Sequence, residues 1–195
     1  MEKIKLLLYC TKQMPRLVFT DGKWWLDNSK ENTYWKKRQI APIGYNGKII
    51  AECDFEVEER LNYGLARRSE TILKGTCLTM EQLDEYLPKH KEYDDKDVFY
   101  AIHIKNLNIF DKPKTLDDYI LKTKKEKYIW CYKINENYYY PVEKAPQNMM
   151  YVYDCNAKEK YILISINPEW LCKILNGEKT IEVRKKVLKE MITDA

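Results

Sequence analysis

The chain has 195 residues, with 34 basic and 30 acidic side chains and a formal charge of +4. That length can bury one substantial core, and one domain with insertions is expected rather than two. The charge excess is too small to mark a nucleic-acid-binding protein by itself, and no apolar stretch approaches the roughly 20 residues of a membrane-crossing helix.

Residues 1 to 9 are too short and too mixed for a signal peptide and read as a strand, so the cytoplasm is the expected compartment. Further strands are expected near 16–20, 23–26 and 47–57, because β-branched and aromatic residues cluster there. Asp21-Gly22 and Asn46-Gly47 are turn signals ahead of two of them. Thr79 and Gln82 form a capping box that predicts a helix over 79–87. Strands follow near 98–107, 127–134, 138–141 and 149–153, with short helices near 60–74, 115–121 and 187–192. Residues 27–46 and 88–97 read as surface loops, and the polar stretch 154–160 reads as a linker.

Metal and disulfide chemistry find little support. Cys10, Cys53, Cys77, Cys131, Cys155 and Cys172 are scattered and never form a Cys-x-x-Cys pair, so inert thiols are expected. His90 and His103 are isolated. Neither a metal nor a cofactor is expected.

Lys112, Lys114, Lys122, Lys124, Lys125 and Lys127 crowd one segment, with Tyr119, Tyr128 and Trp130 among them. Trp35-Lys36-Lys37-Arg38 repeats the mixture. Phosphates attract mobile cations and unstacked bases attract flat rings, although such runs are more often solvated loops.

The richest segment is YILISINPEWLCKILNGEKTIEVRKK, residues 161 to 186. Ile162, Leu163, Ile164 and Ile166 predict a buried strand. Asn167, Pro168 and Glu169 supply an N-cap, a first-turn proline and a first-turn acid, and Asn176-Gly177 supplies the stop for a helix over 168–176. A strand over 179–185 follows, where alternation places Glu182 and Arg184 on one face and Ile181 and Val183 on the other. Lys179 sits at the turn feeding it.

The pattern Gly177-x-Lys179-x-x-Glu182-x-Arg184, after Ser165-Ile-x-Pro168 and an Asn-Gly helix stop, resembles the signature of ASCH domains, small β-barrels of the PUA-like superfamily. Residues 6–12 and 47–57 resemble the strands that follow the signature in that family. Residues 79–87 and 98–119 resemble its later helix and strand, and Ala145-Pro146-Gln147 with Met149 to Tyr153 its closing element. The family order places the signature first; here it comes last.

The resemblance therefore implies an α+β, mainly β fold: a PUA-like (ASCH) β-barrel with peripheral helices, circularly permuted. Residues 1–195 would form one domain, with 1–153 supplying the strands that normally follow, 154–160 the linker, and 161–195 the completing strand-helix-strand. In that arrangement the strand at 179–185 lies beside residues 4–10. Closure within one chain, exchange of the strand with a second copy, and a truncated second domain remain open alternatives.

Binding of RNA or a nucleotide-like small molecule is the implied function, in a charged cleft of Lys179, Glu182 and Arg184, with Tyr9, Thr11 and Lys12 nearby. Cations grip a phosphate, and a carboxylate accepts from a base N–H. The alternative is a hydrolase acting on RNA or a modified nucleoside, with Lys179 and Glu182 as the catalytic candidates. In the family's acetylcytidine amidohydrolases a threonine nucleophile matches Glu182 and its assisting lysine matches Lys179, so that mechanism does not carry over. A second carboxylate would come from Glu52, Asp54 or Glu56. A third reading is a protein-interaction accessory module of the kind phages encode. An ion-pair network that only braces the corner is the structural alternative for the three charges.

Overall fold

The computed structural model describes residues 4–28, 44–61, 69–87, 98–124, 132–134, 136–156 and 159–193. In chain order these form β1 (Lys5–Cys10), β2 (Arg16–Thr20), β3 (Lys23–Asp27), β4 (Ile49–Leu61), α1 (Glu70–Thr76), α2 (Met80–Tyr86) and β5 (Val98–Lys114). There follow a 3-10 turn (Leu116–Asp118), β6 (Tyr119–Thr123), β7 (Tyr132–Ile134), β8 (Asn137–Pro141) and β9 (Met149–Asp154). β10 (Lys160–Ile166), α3 (Pro168–Leu175), β11 (Ile181–Arg184) and α4 (Glu190–Thr193) complete them. Strand dominates, with short helices, so the fold is α+β and mainly β. Among the described residues no helix is long and apolar enough to cross a membrane.

The larger sheet has the order β11-β5-β4-β1-β10-β9-β6-β8-β7, and β2-β3 form a separate ribbon. A barrel closes only when its end strands pair with each other. Here β11 and β7 are the two ends of a linear order, so among the described residues the sheet is open and mixed, and the expected closed barrel is absent. The expected neighbour of the last strand also differs: β11 pairs with β5, and it is β10 that pairs with β1.

Two compact units share the chain: Met1–Cys53 with Leu107–Cys172, and Asp54–Asn106 with Lys173–Ala195. Strands β4 and β5 and helix α3 run from one into the other.

In unit one, β1 and β10 run parallel, from Lys5 opposite Tyr161 to Cys10 opposite Ile166. Both strands are buried almost throughout, which explains why they read as continuous apolar runs rather than alternating ones. β1 also pairs antiparallel with β4, β10 with β9, β9 with β6, and β6 with β8. The core gathers Leu7, Tyr9, Ile49, Tyr119, Val152 and Leu163. Within the stretch read as a linker, Asp154 N donates to the Glu159 carbonyl at 3.0 Å, where β9 and β10 pair antiparallel. The helix expected over 115–121 is a single 3-10 turn followed by β6, because Tyr119 and Ile120 are buried on alternate faces of the sheet.

The β2–β3 ribbon turns at Asp21 and Gly22, both with positive φ (53° and 75°), as that dipeptide requires. Asn46 works differently. Its side chain accepts from Leu17 N (2.7 Å) and donates to the Gln13 (2.6 Å) and Pro15 (3.2 Å) carbonyls, so it clamps a loop instead of closing a hairpin.

In unit two, β11 and β5 pair antiparallel, from Ile181 opposite His103 to Arg184 opposite Tyr100. Ile181 packs with Ile72 and Ala101, and Val183 with Leu83, Leu87 and Phe99. Helix α2 starts at the capping box that the sequence predicts, Thr79 with Gln82.

Candidate functional site

A helix leaves its last carbonyls without intrahelical donors, and those of α1 are met by the segment entering β11. Ser69 caps the start of α1, and Cys77, at φ 56°, ends it in the left-handed conformation. Thr180 N then donates to the Gly75 carbonyl at 2.9 Å. Lys179 Nζ donates to the Thr76 carbonyl, also at 2.9 Å. The Cys77 thiol donates to the Glu178 carbonyl at 3.2 Å. This approach needs a glycine: a Cβ on Gly75 would lie 2.5 Å from Ile181 Cδ1.

The three charges of the signature meet here. Lys179 Nζ stands 3.3 Å from Glu182 Oε2, and Arg184 Nη2 stands 2.9 Å from Glu182 Oε1. One carboxylate thus holds a cation on each oxygen. Lys179 is only 3% exposed and Glu182 9%. Burial lowers the Lys179 ammonium below its ordinary value, against the opposing pull of Glu182. The alternation read from the sequence holds: Glu182 and Arg184 share a face with Ile102 and Tyr100, while Ile181 and Val183 share the other with His103 and Ala101.

Two further residues adjoin the trio. Tyr86, the last residue of α2, is 39% exposed, and Lys185 Nζ lies 4.8 Å from its ring centre. Its hydroxyl is held up chiefly by burial, with Arg184 pulling down and Glu182 pushing up. The charges of Glu182 and Arg184 therefore reach Tyr86. Lys185 could have been drawn from the charged run at 184–186. Tyr86 could not, because nothing local says that the end of α2 lies beside β11.

The remaining expected ligand residues belong to unit one. Tyr9 is a core residue, 3% exposed, packed among Leu7, Ile49 and Leu163, which corrects its expected place in a ligand cleft. Thr11 Oγ1 donates to Asn167 Oδ1 at 3.4 Å, and Lys12, exposed at its backbone turn, runs its side chain along Gly47. Lys179, Glu182 and Arg184 are brought together in unit two.

The expected second carboxylates each carry their own partner. Glu52 accepts from Lys5 (2.8 Å) and Asn108 (3.3 Å), Asp54 from Asn106 (2.8 Å), and Glu56 from Lys105 (2.5 Å). His103 meets Glu58 at 3.2 Å. Among the described residues no group of three His, Cys, Asp or Glu side chains could hold a metal ion.

Of the basic and aromatic patches, Trp35 to Arg38 and Lys125, Lys127, Tyr128 and Trp130 lie outside the described residues. Lys114 stands over Phe110 and Tyr119 at 4.7 and 5.7 Å. Comparison of the chain with family models, with curated proteins and with solved structures gave no match.

Proposed function

We propose that the chain binds RNA or a nucleotide-like ligand at the rim of the charged trio, and that it is a permuted relative of the PUA-like ASCH domains. The relationship draws support from the signature segment. It folds as strand, helix and strand, and its first strand joins β1 within the chain. Ser165 Oγ also donates to the carbonyl of Pro146, in the segment that resembles the family's closing element, at 2.6 Å.

The observation that carries the binding function is the exposed ring of Tyr86 beneath Lys185, next to the Arg184–Glu182 pair. A base stacks on the ring, and a phosphate takes Lys185 and the half-buried Arg184. Glu182 fixes the guanidinium, and Lys179 fixes Glu182 from behind. Stability alone is a weak reason for this arrangement, because buried ion pairs rarely outweigh their desolvation. Perturbed ionisable groups beside an exposed ring fit a ligand site better.

Turnover would require Lys179 or Glu182 to pass a proton to the ligand. Lys179 instead serves the Thr76 carbonyl and Glu182, and Glu182 serves two cations, so the geometry favours binding over hydrolysis. Isothermal titration with a panel of ribonucleoside phosphates tests the reading. Tyr86→Ala and Lys185→Ala are expected to weaken binding by about 5- to 100-fold each while circular dichroism stays native. Absence of binding to every nucleotide tried would sink it.

A further inference from the structure

The two faces of the unit-one sheet are chemically unlike. Tyr119, Val152 and Leu163 turn to one side and pack into the core. On the other side, register places Lys160 opposite Tyr153, Tyr153 opposite Ile120, and Lys122 opposite Tyr139. Tyr151 shares that face, two residues along β9 from Tyr153.

Cations and rings interlock on this face. Lys160 Nζ lies 4.2 Å from the centre of the Tyr151 ring. Lys122 Nζ lies 5.5 Å from the Tyr153 ring and 6.0 Å from that of Tyr139. Lys122 is exposed, and Tyr151, Tyr153 and Lys160 are half-buried. Tyr139, Ile120 and Ile162, on the same face, are closed off, at 8%, 5% and 0%. Rings set two residues apart along β9 are separated by about 7 Å, and rings two strands apart by about 10 Å.

Cross-strand rings also steady a sheet, and the buried Tyr139 does so. That role does not call for two ammonium groups seated over half-buried rings. A duplex offers phosphates but hides its base faces, whereas a single strand offers both. We propose that this face of β10, β9, β6 and β8 is a platform for single-stranded nucleic acid, with bases stacking on Tyr151 and Tyr153 and phosphates meeting Lys122 and Lys160. The platform stands on different residues from the nucleotide site at Tyr86.

Fluorescence anisotropy with the full chain tests it, using a short labelled oligo(U), oligo(dU) and a blunt duplex of the same length. Both single strands should bind more tightly than the duplex. A preference for oligo(U) assigns a contact to the 2′-hydroxyl, and equal binding assigns recognition to bases and phosphates alone; both uphold the platform. Tyr151→Ala and Tyr153→Ala should each weaken single-strand binding by about 5- to 100-fold, while the phenylalanine variants, which keep the rings, retain it. Lys122→Ala should reduce the slope of log affinity against log salt by about 0.7.

The proposal is overturned if the duplex binds as tightly as the single strands. It is equally overturned if wild type binds no oligonucleotide, or if alanine variants with native circular dichroism bind as wild type does. The mononucleotide titrations at Tyr86 use a different ligand and different variants, so the two proposals fail independently.

Discussion

Lys179 donates its ammonium to the carbonyl of Thr76 at 2.9 Å, closing the end of α1 with a side chain from the segment that opens β11. A buried cation at a helix C-terminus satisfies an orphan carbonyl and opposes the negative end of the helix dipole. Glu182 balances the charge, and Arg184 is oriented in turn.

Lys179→Met is therefore expected to cost about 3–5 kcal/mol, because it strands a buried carboxylate oxygen and a carbonyl. Urea unfolding gives the loss directly. A double-mutant cycle with Glu182→Gln should show coupling above about 0.5 kcal/mol, since the two side chains are in contact. Additive losses would separate them energetically.

Gly75→Ala should destabilise by about 1–3 kcal/mol, because the new methyl group meets the Ile181 side chain in a packed core. Ile181→Val removes the nearer of the two crowded carbons, Cδ1, so the double variant should lose less than the sum of the singles. Thermal unfolding of the four proteins provides the comparison.

The alkaline limb of stability should carry a signature of Cys10. Burial, with Cys172 adding to it, pushes this thiol up to about 12. As pH rises above the ordinary thiol range, the unfolded chain loses its proton first and the folded chain keeps it. The stabilisation is thus fully present below the unfolded pKa and is lost as pH rises towards the folded value. Relative to Cys10→Ala, wild type should lose stability between about pH 9 and 12. Iodoacetamide at pH 9 should leave Cys10 unmodified in the native protein and label it in urea.

Asn46→Ala should cost about 1–3 kcal/mol, since the Leu17 N–H and two carbonyls lose their partner at once. Hydrogen exchange should locate the effect at Leu17, with the amides of β10 unchanged.

Most strands could be read in order because their cause is local. Alternating or continuous apolar runs mark β1, β9 and β10, and the capping box marks α2. The Lys179–Glu182–Arg184 contact was legible for the same reason, as strand alternation alone sets two of its members on one face. What failed depends on partners far along the chain. β11 has four residues, and nothing in them distinguishes β5 from β1 as a neighbour. Tyr119 and Ile120 suit either a helix or a strand until burial on both faces decides. Asn46-Gly47 carries the composition of a hairpin turn, yet its side chain serves Gln13, Pro15 and Leu17 some thirty residues away. Tyr86 entered the site through the placement of α2, which no local pattern encodes.

Amide chemical-shift mapping of the isotope-labelled chain during titration with a ribonucleoside monophosphate tests the nucleotide site most directly. The predicted result is a saturable set of shifts centred on Tyr86, Arg184 and Lys185. Shifts that never appear, or that centre elsewhere and leave these three amides still, would contradict it.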